Sequence, residues 1–190
     1  MPIDFDEIYP KIFVYKSRLE DVCKIQKLTE ELHSIWESEG LTTPFWTKWY
    51  EFGEKVDTYC TFFAGSELFN TKKAELENLI DSVFDEFTSH YVDFFNINND
   101  TMEKGLPIVC KYFPGHGSGP NNAMLYHTDF QQERKDARGE KPIITCNMYL
   151  NDDYSGGEVR YKIKEEDGFF EISYKPNAGE VMVFPSAEPY

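Results

Sequence analysis

The sequence predicts an α+β fold, with helices packed on one face of a largely antiparallel sheet or barrel. Apolar residues recur at helical spacing in the first half of the 190-residue chain, whereas short strand patterns separated by Gly, Pro and Asn-Asp turns fill the second half. Aromatic residues make up 16% of the chain, which indicates a hydrophobic core. We therefore expect one domain over 1–190, with a helical support region at 1–100 and a strand-rich core at 106–190.

The first half begins with a strand and a helix. Residues 12–15 are apolar or aromatic and predict a short strand. Apolar residues then follow a helical period over 19–39, and Gly40 is the expected end of that helix. Residues 43–65 mix aromatic residues with Gly and Pro without a clear period, so a covering loop is expected there. The clearest amphipathic pattern of the chain spans 76–94 and predicts a second helix.

After residue 100 the pattern changes from helix to strand. Apolar or alternating segments are bounded by turn residues, which is typical of strands in an antiparallel sheet. The charged segment 131–141 predicts a solvated loop. The predicted strands are 107–113, 143–150, 157–163, 169–174 and 180–184.

The strand at 143–150 has two unlike faces, because successive side chains of a strand point to opposite sides. One face is apolar and is expected to meet the helices, and the other is polar. The apolar residues are Ile144, Cys146, Met148 and Leu150, and the polar ones are Thr145, Asn147 and Tyr149. The polar face either meets solvent, as in many antiparallel sheets, or lines a cavity that holds a polar ligand.

Charge and composition exclude several classes of function. Nineteen Lys and Arg against 34 Asp and Glu give a net charge of −15, and so acidic a surface repels phosphate groups. We therefore expect neither nucleic acid nor an anionic membrane as the partner. The chain lacks an apolar run of roughly 18 residues and a signal-peptide core, so a cytoplasmic location is expected. The four cysteines are Cys23, Cys60, Cys110 and Cys146, and three of them lie in hydrophobic patterns, which favours reduced, buried thiols over a disulfide framework or a zinc site.

The triplet His127-Thr128-Asp129 is the main candidate for chemistry. On a strand its first and third side chains point to the same side, close enough to bind one metal ion through an imidazole nitrogen and a carboxylate oxygen. A second histidine would complete the 2-His-1-carboxylate facial triad, which leaves three metal positions open for cosubstrate and dioxygen. The other histidines lie in helical patterns or in a glycine-rich turn and are expected to be structural: His33, His90 and His116.

Four segments around this triplet carry a resemblance to a known family. CKYFPGHGSG (110–119) precedes it, and ITCNMYLN (144–151), SGGEV (155–159) and NAGEVMVFP (177–185) follow it. In this order the segments resemble the iron(II)- and 2-oxoglutarate-dependent dioxygenases, specifically the prolyl 4-hydroxylase-like branch. The match covers about 106–190, and the ordered set is far more specific than the triplet alone.

The resemblance implies a double-stranded β-helix, or jelly roll, with N-terminal helices packed on one sheet. It implies that His127 and Asp129 bind the iron. Tyr149 matches the position whose hydroxyl helps to hold the distal carboxylate of 2-oxoglutarate, and Tyr112 matches the tyrosine that borders the same pocket. The implied cofactors are Fe(II), 2-oxoglutarate as cosubstrate and O2, with ascorbate as a further candidate. Because Tyr149 lies on the polar face of its strand, the cavity interpretation of that face is favoured.

The resemblance also implies residues that 1–190 does not contain. The second histidine ligand is expected about two residues beyond Tyr190, and a basic residue that pairs with the distal carboxylate is expected farther on. A barrel without its closing strands would leave open sheet edges. We therefore expect that the core is cut short at its C-terminus, and that 1–190 alone would bind metal weakly and be poorly active.

The predicted function is that of an enzyme that hydroxylates a C–H bond, with a prolyl residue of a protein or peptide as the leading substrate class. Two alternatives remain open. The first is a hydroxylase of a free amino acid or small metabolite. The second is a non-catalytic jelly-roll module that binds a ligand without transforming it. The expected partner is accordingly a protein, a peptide or a small molecule.

Overall fold

The computed structural model describes residues 3–42, 44–48, 56–59, 65–98, 102, 104–105, 107–112, 144–165 and 168–186. The elements in these ranges are β1 Phe5–Tyr9, β2 Ile12–Lys16, α1 Leu19–Ser38, β3 Trp46–Lys48, β4 Val56–Tyr59, α2 Glu67–Phe94, β5 Cys110–Tyr112, β6 Ile144–Met148, β7 Val159–Glu165, β8 Gly168–Tyr174 and β9 Glu180–Pro185. Every strand pair among them is antiparallel. The described part of the chain is therefore an α+β structure, as the sequence predicts.

The chain forms two compact units. Unit 1 comprises Met1–Val22, Val83–Gly105 and Tyr126–Tyr190, and unit 2 comprises Cys23–Ser82 and Leu106–Leu125. Unit 1 contains a four-stranded sheet in the order β1-β2-β9-β6, which we call sheet 1, and the β7–β8 hairpin. Unit 2 contains the three-stranded sheet β3-β4-β5, which we call sheet 2.

Sheet 1 is apolar on both faces along its two central strands. Val14 of β2 lies opposite Met182 of β9, and Phe13 lies opposite Val183 in the neighbouring row. Adjacent rows point to opposite faces of a sheet. All four side chains are buried, so each face of sheet 1 is covered by another layer of unit 1.

The C-terminal part of α2 covers one face of sheet 1. The ring of Tyr15 stacks on Phe87 at 5.0 Å between centroids, and the ring of Phe13 meets Tyr91 edge-on at 5.3 Å. The buried cluster comprises Phe13, Tyr15, Val83, Phe87, Tyr91, Val181 and Val183. Three residues of β6 pack against it, Ile144, Cys146 and Met148. This confirms that the apolar face of β6 meets a helix.

The β7–β8 hairpin covers the other face of sheet 1. Its inward-facing Tyr161 and Ile163 are buried in one cluster with Ile12, Val14 and Met182 of the sheet. Partly buried residues complete this layer, among them Tyr149, Ile172, Tyr174 and Phe184. Unit 1 therefore has three layers, with sheet 1 between α2 and the hairpin.

Unit 2 buries the apolar side of α1. Trp36 of α1 lies 5.2 Å from Phe69 and 6.4 Å from Phe45 between ring centroids. His33 stacks on Phe45 at 4.9 Å between ring centroids. Gly40 follows the helix with a φ of +63°, a conformation that glycine adopts without strain and that commonly ends helices.

Helix α2 begins nine residues earlier than its apolar pattern predicts, at Glu67 instead of Leu76. The Ser66 hydroxyl accepts a hydrogen bond from the Phe69 amide at 3.2 Å and caps the helix. Ion pairs stabilise the polar first turns, since Lys72 Nζ lies 3.2 Å from a carboxylate oxygen of Glu31 and 3.0 Å from one of Glu75. Apolar periodicity cannot reveal turns that are stabilised by charges and a cap.

Two further expectations need correction. The segment 43–65, predicted as a loop, contributes the short strands β3 and β4 to sheet 2. Among the cysteines, Cys23 and Cys110 are exposed free thiols, whereas Cys146 is partly buried against the helix-facing cluster, and burial raises its pKa. Cys60 lies outside the described residues. A residue in an apolar pattern can thus still lie on the exposed side of a short strand or helix.

The β1–β2 turn holds a non-glycine residue in the left-handed region. Lys11 has a φ of +69°. Its amide donates to Glu7 Oε1 at 3.0 Å, and its carbonyl accepts from the Tyr91 hydroxyl at 2.9 Å. These two bonds hold the turn against α2 although the backbone conformation is unfavourable for an L-residue.

We expect Lys11→Gly to be more stable than Lys11→Ala by about 1 kcal/mol, because glycine adopts a positive φ without the Cβ clash. Both variants lose the same exposed lysine side chain and keep the amide and carbonyl that form the two bonds. Urea unfolding of the two proteins measures the difference. Equal stabilities would contradict the left-handed conformation of Lys11.

Candidate functional site

Polar side chains of sheet 1 gather on its edge strand β6, on the face that meets the hairpin. Asn147 lies opposite Met182 in the register of β6 and β9, and Met182 belongs to the hairpin-facing cluster. Thr145 and Tyr149 share this face because they lie two residues on either side of Asn147. Tyr149 packs against the hairpin-facing cluster, whereas Asn147 is exposed. The polar face of β6 is thus partly enclosed.

Backbone bonds fix Tyr149 at the start of β9. Its amide donates to the Glu180 carbonyl at 2.9 Å, and its carbonyl accepts from the Gly179 amide at 2.8 Å. Gly179 has a φ of +85°, and a Cβ at this position would lie 3.4 Å from the Ser17 carbonyl oxygen. The tight NAGE turn therefore depends on glycine and holds the end of β6 in place.

A buried carboxylate lies next to Tyr149. Glu180 is only 5% exposed and accepts three hydrogen bonds. One comes from the Tyr174 hydroxyl at 2.8 Å, and two come from Asn177, through its amide at 2.8 Å and its side-chain Nδ2 at 3.0 Å. Neutral donors thus satisfy this carboxylate. Burial, and then the bond to Glu180, raises the pKa of Tyr174 to about 12.

A hydroxyl pair marks the opposite end of the same face. Thr145 Oγ1 and Ser186 Oγ lie 2.8 Å apart and share a hydrogen bond. Ser186 is 3% exposed and directly follows β9, so the bond ties the end of β9 to the beginning of the edge strand β6. Between this pair and Glu180, strand β9 presents the apolar residues Met182 and Phe184 on this face.

The hairpin supplies an apolar wall above this face. The Tyr161 ring meets Phe184 edge-on at 5.2 Å, and its hydroxyl donates to Met182 Sδ at 3.8 Å. Ile163 is 2% exposed. A wall of this composition excludes water and strengthens any hydrogen bond made to a polar group beside it.

The structure places two of the four predicted site residues. Tyr149 lies in unit 1, between sheet 1 and the hairpin. Tyr112 lies in unit 2 on β5, opposite Val56, and is 58% exposed. His127 and Asp129 lie outside the described residues, as does His116. Within the described ranges, no three His, Cys, Asp or Glu side chains form a group that could hold a metal ion.

Sequence reasoning missed the polar network at the start of β9. Alternation along 180–186 puts Glu180, Met182, Phe184 and Ser186 on one face, and this signal was available. It does not indicate that Tyr174 and Asn177 satisfy the carboxylate, because those bonds form through the turn between β8 and β9.

Comparison with known proteins leaves the family open, since no family model and no curated protein matches the chain. Within the described residues, no helix combines the length and apolar character needed to cross a membrane.

We expect Tyr174→Phe to be less stable than the unmodified protein at pH 8, because the buried Glu180 loses a donor, and such bonds contribute about 1.5–3 kcal/mol. Native Tyr174 keeps its proton up to about pH 12, whereas an unfolded tyrosine loses it near pH 10. The stability contributed by the hydroxyl is therefore present below pH 10 and lost as the pH rises towards 12.

Urea unfolding between pH 8 and pH 12 measures the free energy of unfolding of both proteins. The gap between Tyr174→Phe and the unmodified protein should narrow as the pH rises. A gap that stays constant over this range would contradict the Tyr174–Glu180 bond.

Proposed function

We propose that the protein is an iron(II)- and 2-oxoglutarate-dependent dioxygenase with a jelly-roll core, and that it hydroxylates a C–H bond of a prolyl residue in a protein or peptide. The observation that carries the proposal is the position of Tyr149. The residue expected to hold 2-oxoglutarate lies between two layers of antiparallel strands, on the face of β6 opposite the helix-packed one.

The layered arrangement of unit 1 supports the jelly-roll part of the proposal. A jelly roll consists of two facing antiparallel sheets with the ligand site between them. Sheet 1 and the β7–β8 hairpin face each other across an apolar interior, and α2 covers the outer side of sheet 1. The ordered motifs at 110–119, 144–151, 155–159 and 177–185 support the same assignment.

The donor chemistry of the chain fits iron. His127 and Asp129 would supply an imidazole nitrogen and a carboxylate oxygen, two of the three ligands of a facial triad. The spacing of one residue puts both groups on one side of an extended backbone. Their proposed role is to hold the metal and leave positions open for the cosubstrate and dioxygen.

The proposed cosubstrate site is the partly enclosed, hairpin-facing side of β6. Tyr149 would donate its hydroxyl to the distal carboxylate, and the apolar wall of Tyr161, Ile163 and Met182 would exclude water from it. Glu180 is anionic but accepts bonds from Tyr174 and Asn177. Lys16 of β2 lies opposite Glu180 in the register of β2 and β9, so this face carries a cation at the same end as the Glu180 carboxylate.

When bound, iron, 2-oxoglutarate and dioxygen supply the oxidising chemistry, in which the cosubstrate is converted to succinate and carbon dioxide and one oxygen atom enters the substrate C–H bond. The chain would hold the reacting groups in position and keep water away from them. His127 and Asp129 fix the metal, Tyr149 orients the cosubstrate, and the layers of unit 1 keep the interior dry.

Tyr149→Phe is expected to weaken 2-oxoglutarate binding by roughly ten- to a hundredfold, because a hydrogen bond to a buried charged group contributes about 1.5–3 kcal/mol. The control is Met148→Leu, which lies on the helix-facing side, conserves volume and should cost less than about 1.5 kcal/mol of stability. Titration calorimetry with 2-oxoglutarate measures both affinities. Equal effects of the two substitutions would remove Tyr149 from the cosubstrate site.

Asp129→Ala is expected to abolish iron-dependent formation of succinate while the circular dichroism spectrum stays unchanged, because one of few metal ligands is lost. Undiminished succinate production would refute the metal assignment. Assays with proline-containing peptides and with free amino acids then identify the substrate class. An unmodified protein that binds 2-oxoglutarate without forming succinate would be a binding module instead.

A further inference from the structure

The solvent-facing side of the β7–β8 hairpin carries a line of basic residues, which we call the basic stripe: Arg160, Lys162 and Lys164. They occupy alternate positions of β7, so they share one face, while Tyr161 and Ile163 point inward. All three stripe residues are exposed. Three of the 19 basic residues of an acidic chain thus lie on a single strand face.

The cross-strand neighbours of the stripe add an apolar contact. Lys164 lies opposite Phe169, and Lys162 lies opposite Glu171. Phe169 is 64% exposed, and the Lys162 ammonium lies 4.7 Å from the centroid of its ring. Arg160 lies 4.0 Å from the Glu171 carboxylate, with both side chains about half exposed. The face therefore combines three cations, one anion and an accessible aromatic ring.

We propose that this face is a docking surface for a short acidic segment of another protein, bound in an extended conformation. Alternate residues of a strand lie about 7 Å apart, so a peptide with carboxylates at every second position matches the spacing of Arg160, Lys162 and Lys164. An apolar residue at one end of the peptide would contact Phe169. The assignment is independent of the proposed enzymatic function.

The charge distribution favours a short acidic peptide over a longer polyanion as the occupant of the stripe. The stripe spans only about 13 Å. A nucleic acid longer than the stripe would also meet the rest of a chain whose net charge is −15. A short peptide need not extend beyond the stripe. At physiological salt the Debye length of about 8 Å screens the more distant acidic residues, so the stripe determines the local potential.

The test is fluorescence anisotropy with a labelled peptide of four Glu-Thr repeats ending in Leu. R160A/K162A/K164A should bind it about tenfold more weakly than the unmodified protein, because three charge pairs are lost. The affinity of the unmodified protein should fall as salt rises from 50 to 300 mM. The matched control is K24A/K27A/K104A, which removes three other exposed lysines and changes the net charge equally. This control should lose less than twofold.

Several outcomes would overturn the proposal. Equal loss in the stripe variant and the control would show that only net charge matters. Equal binding of the same peptide with Gln in place of Glu would exclude carboxylate recognition. Tighter, stripe-dependent binding of oligothymidine would assign the face to nucleic acid. Sedimentation showing a dimer that only the stripe variant lacks, without peptide binding, would assign it to a second copy of this chain.

Discussion

The central strands of sheet 1 are apolar on both faces, and the rest of unit 1 follows from this constraint. Phe13 and Val183 point to one side, and Val14 and Met182 to the other, so neither side of the sheet can face water without a large loss of hydrophobic stabilisation. Helix α2 covers the first side and the β7–β8 hairpin covers the second. The hairpin packs on the sheet because β2 and β9 need that second layer, and Tyr149 packs against the same cluster.

Buried polar groups between sheet 1 and the hairpin need hydrogen-bond partners, and the chain supplies them at both ends of β9. The Glu180 carboxylate accepts from Tyr174 and Asn177, and the hydroxyls of Thr145 and Ser186 bond to each other. These bonds hold the two ends of β9 against neighbouring segments. Backbone hydrogen bonds tie Tyr149 to Gly179 and Glu180, and its side chain packs against the hairpin-facing cluster.

The charge distribution of the hairpin follows the same layering. Its inward residues are apolar because they cover sheet 1, and its outward residues meet water and can carry charge without cost to the core. Alternation along β7 therefore produces an apolar wall and the basic stripe from one short segment. The buried Tyr161 and Ile163 lie on the opposite face of β7 from the exposed stripe residues.

The sequence by itself determined the α+β class, the start of α1 at Leu19, and the two faces of β6, because these depend on local periodicity. It also determined the motif order on which the His127 and Asp129 assignment depends. Only the tertiary structure decided which strands are neighbours, so that Thr145 meets Ser186 and the Glu180 carboxylate is buried beside Tyr149. Strand pairing joins residues that are far apart in the chain, and its register is set by the fit of whole faces, which no local pattern encodes. The first turns of α2 and the strands β3 and β4 escaped prediction because ion pairs, a cap and distant strand partners stabilise them.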